Sequence, residues 1–178
     1  MANKSTSFLK LPGEIRNHIY RALLVAESGI SIRSHPRASN FGICLVNRQI
    51  RQETVPIFYS ENVFREEIVD RGDYFSAERW FRNLHPANAA LLRHLSLRFD
   101  KVKLDLELKI LPLTGCLVTV KQYSYHRRNF TAVGPAVQLE VDRLFRERGE
   151  LSLHAQDYVK VLNAFVEESK LPLQLFLF

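Results

Sequence analysis

The stretch FLKLPGEIRNHIYRALL, residues 8–24, carries its own helix start at Pro12, since the N–H that proline lacks is one the first turn leaves unbonded in any case. Ile15, Ile19, Ala22 and Leu23 then recur at the spacings that put them on one helical face. At ~100° per residue the apolar arc extends through Tyr20 and Leu24 with Arg16 inside it, while Asn17, His18 and Arg21 fall outside. That arc is wider than a single packing partner requires. It predicts a helix that covers one flank with its own domain and offers the other to a second molecule.

The echo of this stretch is ICLVNRQIRQETVPIFYSENVF, residues 43–64. It predicts a second helix starting near Gly42, with Ile43, Val46, Ile50, Thr54 and Ile57 along one stripe. A mid-helix proline costs ~3 kcal/mol, so Pro56 is expected to end or kink it. Phe58 and Tyr59 read as packed aromatics, and Ser60-Glu61-Asn62 turns the chain into a strand over 63–68.

The pattern Leu11, Pro12, Glu14, Ile15, Ile19, Leu23 resembles the opening of an F-box, and Leu45-Val46-Asn47-Arg48-Gln49-Ile50-Arg51 resembles that module's second signature. The wording LPGEIRNHIY, then VNRQIRQE and IFYSENVF, resembles more closely still the F-box-like proteins of filamentous fungi. The resemblance covers roughly the first third of the chain. Asn47 and Ile50 stand where ordinary F-boxes carry Cys and Trp, and the connection over 26–41 is longer than theirs. The resemblance implies a non-enzymatic subunit that docks on the Skp-type adaptor of a cullin ubiquitin ligase and recruits a target protein. Leu11, Pro12, Ile15, Ile19, Leu23 and Val46 would supply the apolar contacts, with Arg16, Arg48 and Arg51 at the rim against acidic side chains. Catalysis would belong to the partner ligase.

Farther along, Asp70 to Asp73 reads as a turn, with Asp73 or Ser76 capping a helix that contains Phe75, Trp80, Phe81 and Leu84. Pro86 opens another short helix. Leu92, Leu95 and Leu97 resemble one leucine-rich-repeat strand, and a single copy licenses no solenoid. Over 102–110, Val102, Leu104, Leu106, Leu108 and Ile110 alternate with Lys103, Asp105, Glu107 and Lys109, which predicts a half-buried strand with one wet face. Residues 112–115 make a turn to a partner strand over 117–125, giving a central antiparallel hairpin. Pro135 opens a helix carrying Val137, Val141, Leu144 and Phe145 that Gly149 stops. Leu151-Ser152-Leu153 reads as a strand, followed by a helix with Tyr158, Val161, Leu162, Phe165 and Val166. The apolar run over 171–178 is expected to tuck into the sheet. The fold class is therefore α+β, with an F-box-like helical module over 8–68 and an α+β body over 69–178, or both as one continuous domain.

Composition sets limits on function. With 178 residues, 46% of them hydrophobic and 25% charged, the chain is long enough for one sizeable core. The net charge of +6 is lopsided: residues 1–60 hold eight Lys/Arg against three Asp/Glu, leaving seventeen of the 25 and sixteen of the 19 to residues 61–178. A basic front end speeds encounter with an acidic partner. Cys44 and Cys116, far apart in apolar runs, read as buried thiols of a reducing compartment. With no span-length apolar run and no leader-like segment in residues 1–11, the expected location is cytoplasmic or nuclear, without membrane attachment.

No phosphate loop, nucleophile elbow, zinc motif or Cys-x-x-Cys occurs, so neither an enzyme nor a cofactor or metal is expected. His18, His35, His85, His94, His126 and His154 are dispersed. Glu66-Glu67 and Glu167-Glu168 read as solvated faces. The alternative to an adaptor-docking protein is a self-contained domain that binds single-stranded nucleic acid. Tyr123 and Tyr125 would stack on bases there, and Lys121, Arg127 and Arg128 would meet phosphates. The near-neutral surroundings weigh against it, because phosphate binding calls for a basic surplus around the platform.

Overall fold

A computed structural model describes residues 7–33, 40–100, 103–111, 115–122, 130–149 and 152–169. Residues 34–39 of the surface loop that the Ser, Pro and Asn content of 34–40 predicts, residues 112–114 of the expected turn over 112–115, residues 123–129 of the basic aromatic segment and the expected terminal strand over 171–178 lie outside the described residues.

The chain is α+β. After a 3-10 turn at Phe8–Lys10 come α1 (Gly13–Leu24), β1 (Ile30–Ser31), a 3-10 helix at Asn40–Leu45 and α2 (Arg48–Glu61). Next are β2 (Val63–Ile68), α3 (Arg71–Asn83), α4 (Pro86–Ala89), β3 (His94–Phe99), β4 (Leu104–Leu111), β5 (Gly115–Gln122), α5 (Val133–Arg148) and α6 (Ala155–Glu168). The five strands form one sheet in chain order; β1, β2 and β3 run parallel, while β4 and β5 pair antiparallel as a hairpin along one side. Two parallel pairs need crossovers, and α2 and α3 supply them.

The register puts Phe64, Leu95, Leu108 and Val118 on one face, with Leu97, Leu106 and Val120 a step along. Helices α2, α3, α5 and α6 pack there, while α1 packs on α2. The Phe64 ring lies 5.7 Å from both Tyr59 of α2 and Trp80 of α3. Phe99 meets Phe165 of α6 at 4.7 Å, and the backbone of α5 approaches Val120 closely at Gly134. The opposite face is polar, because the alternate positions of the same strands are Arg65, Glu67, Ser96, Arg98, Asp105, Glu107 and Lys121. One hydrophobic cluster runs from Tyr20 to Val166, and the sheet crosses position 68 where β2 pairs with β3.

Several local readings are corrected. The second helix is two pieces: Asn47 breaks it, turning extended at φ −158° so that its side chain accepts the Ile50 N–H at 2.8 Å and caps α2. Val46 consequently leaves the stripe and is exposed, while Ile50, Thr54 and Ile57 are buried. Pro56 does not end α2; it and Gln52, whose carbonyl it deprives of a helical partner, both lie on the exposed side of the helix. Asp70, not Asp73 or Ser76, caps α3, and Asp73 completes a capping box from inside the helix. Ser152 and Leu153 are buried without forming a strand, and Lys103 stands ahead of β4 at φ 54° instead of on its wet face. That face is less wet than alternation implied, with Asp105 buried and Glu107 half-buried. Glu66 is no solvated carboxylate either. It is buried, taking 2.6 Å and 3.1 Å hydrogen bonds from Arg33 Nε and the Arg33 N–H, and one from Ser31 Oγ.

Candidate functional site

Two neighbouring rows run along α1, and they do different things. Arg16, Tyr20 and Leu24 form the row turned toward α2. Glu53, one turn inside α2, accepts from Arg16 Nε at 2.9 Å, from Arg16 Nη2 at 2.6 Å, from the Tyr20 hydroxyl at 2.9 Å and from Gln49 Nε2 at 3.1 Å. Arg16 also donates through Nη1 to the carbonyl oxygens of Leu9 and Leu11, so one guanidinium ties the 3-10 turn, α1 and α2 together. The Arg16 bonds hold the Glu53 carboxyl down to about 2. Phe8 adds an edge contact to Tyr20 at 5.7 Å.

At the other end of α1, Asn62 is buried and fully bonded. Its Oδ1 accepts the Ala26 N–H at 2.9 Å, and its Nδ2 donates to the carbonyls of Leu24 and Phe58, each at 2.9 Å. Arg21 and Glu61 form a bidentate pair outside it, at 2.9 to 3.0 Å. Both ends of α1 are thus fastened by polar groups, and burial of Tyr20 and Leu24 fills the space between.

The row one residue back, Ile15, Ile19 and Leu23, is left facing outward with 47%, 36% and 40% of its surface exposed. Ala22 is exposed too. Leu45 and Val46, at the end of the 3-10 helix, are 67% and 64% exposed. That 3-10 helix starts at the end of α1, where Asn40 Nδ2 donates to the Leu23 carbonyl at 3.0 Å. Pro12 is exposed at the cap of α1 and Leu11 is half-buried before it. Arg48 and Arg51 are exposed on the first turn of α2 and make no ion pair among the described residues.

Of the residues singled out from sequence, Ile15, Ile19, Leu23, Val46, Pro12, Arg48 and Arg51 thus lie at the surface. Arg16 does not stand at a rim: its charge is committed to Glu53, and its side chain is only 12% exposed. Sequence reasoning passed over Glu53 and Asn62, which orient the helix, and Leu45, which is slightly more exposed than Val46. Glu53 stands four residues after Gln49, a helical spacing that was open to notice. Asn62 is legible only once the ends of α1 and α2 are known to meet.

Elsewhere the chemistry is thin. Among the described residues no group of His, Cys, Asp and Glu is arranged to hold a metal, and no helix is long and apolar enough to cross a membrane. Cys44 is buried and Cys116 half-buried, both free, and burial pushes the Cys116 thiol up to about 12, which removes nucleophilic reactivity. His94 on β3 is bonded to Glu107 at 2.7 Å; His85 and His154 cap α4 and α6, and His18 is exposed on α1. Of the segment considered for nucleic acid, Lys121 lies on the polar sheet face 3.6 Å from Glu107, with Asp105 beside it in register. Carboxylates so close oppose a phosphate. Compared with known protein families, curated proteins and solved structures, the chain matches none.

Proposed function

We propose that this chain is a non-enzymatic interaction protein of the F-box-like kind. Its α1 face docks on the Skp-type adaptor of a cullin ubiquitin ligase inside the cell, in cytoplasm or nucleus, and its α+β body holds a target protein. The observation that carries the reading is the outward row Ile15, Ile19 and Leu23, fixed by polar fastenings behind it; Leu45 and Val46 are exposed as well. A helix locked at both ends so that branched apolar side chains face water loses stability relative to one rolled inward, and a partner that covers the row recovers it. Arg48 and Arg51, without internal partners among the described residues, suit an acidic rim on that partner.

The test is co-purification of the full chain with the adaptor. Ile19→Asp places a charge on the outward row, so its unfolding free energy should stay within about 1 kcal/mol of the parent while adaptor capture is lost. A folded Ile19→Asp chain that captures the adaptor as well as the parent does rules out this face.

A further inference from the structure

The sheet face turned away from the helices has a charge order that its register dictates. Glu67 stands opposite Arg98, Arg98 opposite Asp105, and Asp105 opposite Lys121, so the row across β2, β3, β4 and β5 reads minus, plus, minus, plus. Neighbours in the row attract within one chain, with Arg98 Nε 3.3 Å from Asp105 Oδ1. A row of four alternating charges is also complementary to its own reverse. None of the described helices packs over it, and Arg98 and Lys121 each keep 57% of their side-chain surface.

We propose that this face pairs with the same face of a second copy of the chain, about a two-fold axis that lies between β3 and β4 and runs along the strands. The operation sets β2 over β5 of the second copy and β3 over its β4. Glu67 then meets Lys121 of the second copy, and symmetry repeats that contact, while Arg98 lies over the row position of the second copy's Asp105, which is buried and held by its own Arg98. One row along, Arg65 meets Thr119 and Ser96 meets Glu107. In the row beyond, Val63 meets the exposed Leu117, and His94 with Lys109 is the one juxtaposition of two basic side chains. Sliding the copies so that the axis runs through β3 stacks Arg98 on Arg98 and Glu67 on Asp105, so charge also selects the docking position.

A sheet with strands ~4.8 Å apart and ~3.3 Å per residue offers on the order of 400 Å² per copy, about 800 Å² in all, which is below the ~1,200 Å² at which stable specific interfaces begin. The concavity over this face, about 480 Å³, holds water between the copies. The dimer is therefore transient and salt-sensitive, and it is independent of the adaptor-docking face on α1.

Sedimentation equilibrium of the full chain from micromolar to near-millimolar concentration, at low and high salt, reads it directly. The parent should dimerise, more weakly at high salt. Glu67→Lys and Lys121→Glu each bring two pairs of like charges together and should weaken dimerisation about tenfold. Mixing the two variants should restore association to the parent level, since each then offers the charge the other needs, whereas loss of the ladder within one chain is not repaired by mixing. A parent monomeric throughout, or a mixture no more associated than either folded variant alone, overturns the proposal.

Discussion

Glu53 shows how one side chain decides what a helix presents. It binds Arg16 and Tyr20 from below, and this holds the α1 row of Ile15, Ile19 and Leu23 outward. Its carboxyl titrates lower in the folded chain, at about 2, than the ordinary value of 4.5 that applies when unfolded. The stabilisation is therefore complete above the ordinary glutamate range and is lost as pH falls from there toward about 2. Urea midpoints measured from about pH 6 down to about pH 3 should fall for the parent, and the fall should be shallower in Glu53→Gln, which has no charge there to lose. Equal slopes for the two proteins would show that Glu53 is not held as described. The spacing of α1 was legible in the sequence down to which residues share an arc. Which row of that arc is buried was not, because the answer depends on a carboxylate 37 positions away.

Among the elements, β5 carries the greatest aggregation hazard, since it pairs with β4 on one side and its other edge meets no strand among the described residues. Gln138 of α5 covers part of that edge: its Oε1 accepts the Val118 N–H and its Nε2 donates to the Cys116 carbonyl, both at 2.9 Å. One side-chain amide thus reproduces the donor and acceptor of a neighbouring strand. Gln138→Ala leaves both half-buried backbone groups without those bonds, which should cost about 1–3 kcal/mol and raise thioflavin-detected aggregation on mild heating. Gln138→Glu keeps the acceptor for Val118 but loses the donor to Cys116, and should fall between. The helix of α5 and the hairpin beside it were each legible from periodicity, as was the αL stop at Gly149. The amide bridge between them was not, since a glutamine on a helix has no local signature for what it will meet.

At the scale of the molecule, the F-box-like module expected over 8–68 shares its interior with the body over 69–178. Phe64 and Ile68 pair in register with Leu95 and Phe99, and Phe64 packs on Trp80. Expressed alone, residues 8–68 should lack the native helical circular dichroism and cooperative unfolding of the full chain, because half of the face that buries Phe64 is gone. A fragment that melts cooperatively would establish a self-standing module.

The residues by themselves determined most element types and several of their ends: Pro12 before α1, Val63–Ile68 as a strand, Pro86 opening α4, alternation through β4, Gly149 closing α5. These stem from local constraints, such as proline's missing N–H, side chains alternating in a pleat, or glycine's access to positive φ, and such constraints are written within a few residues. Tertiary structure alone decided that Glu66 would be buried and that Arg16, with Tyr20, would turn inward to Glu53 instead of standing at a rim. Each of those outcomes depends on groups remote in the chain competing for the same space, and the competition exists only after the sheet has gathered its helices onto one face.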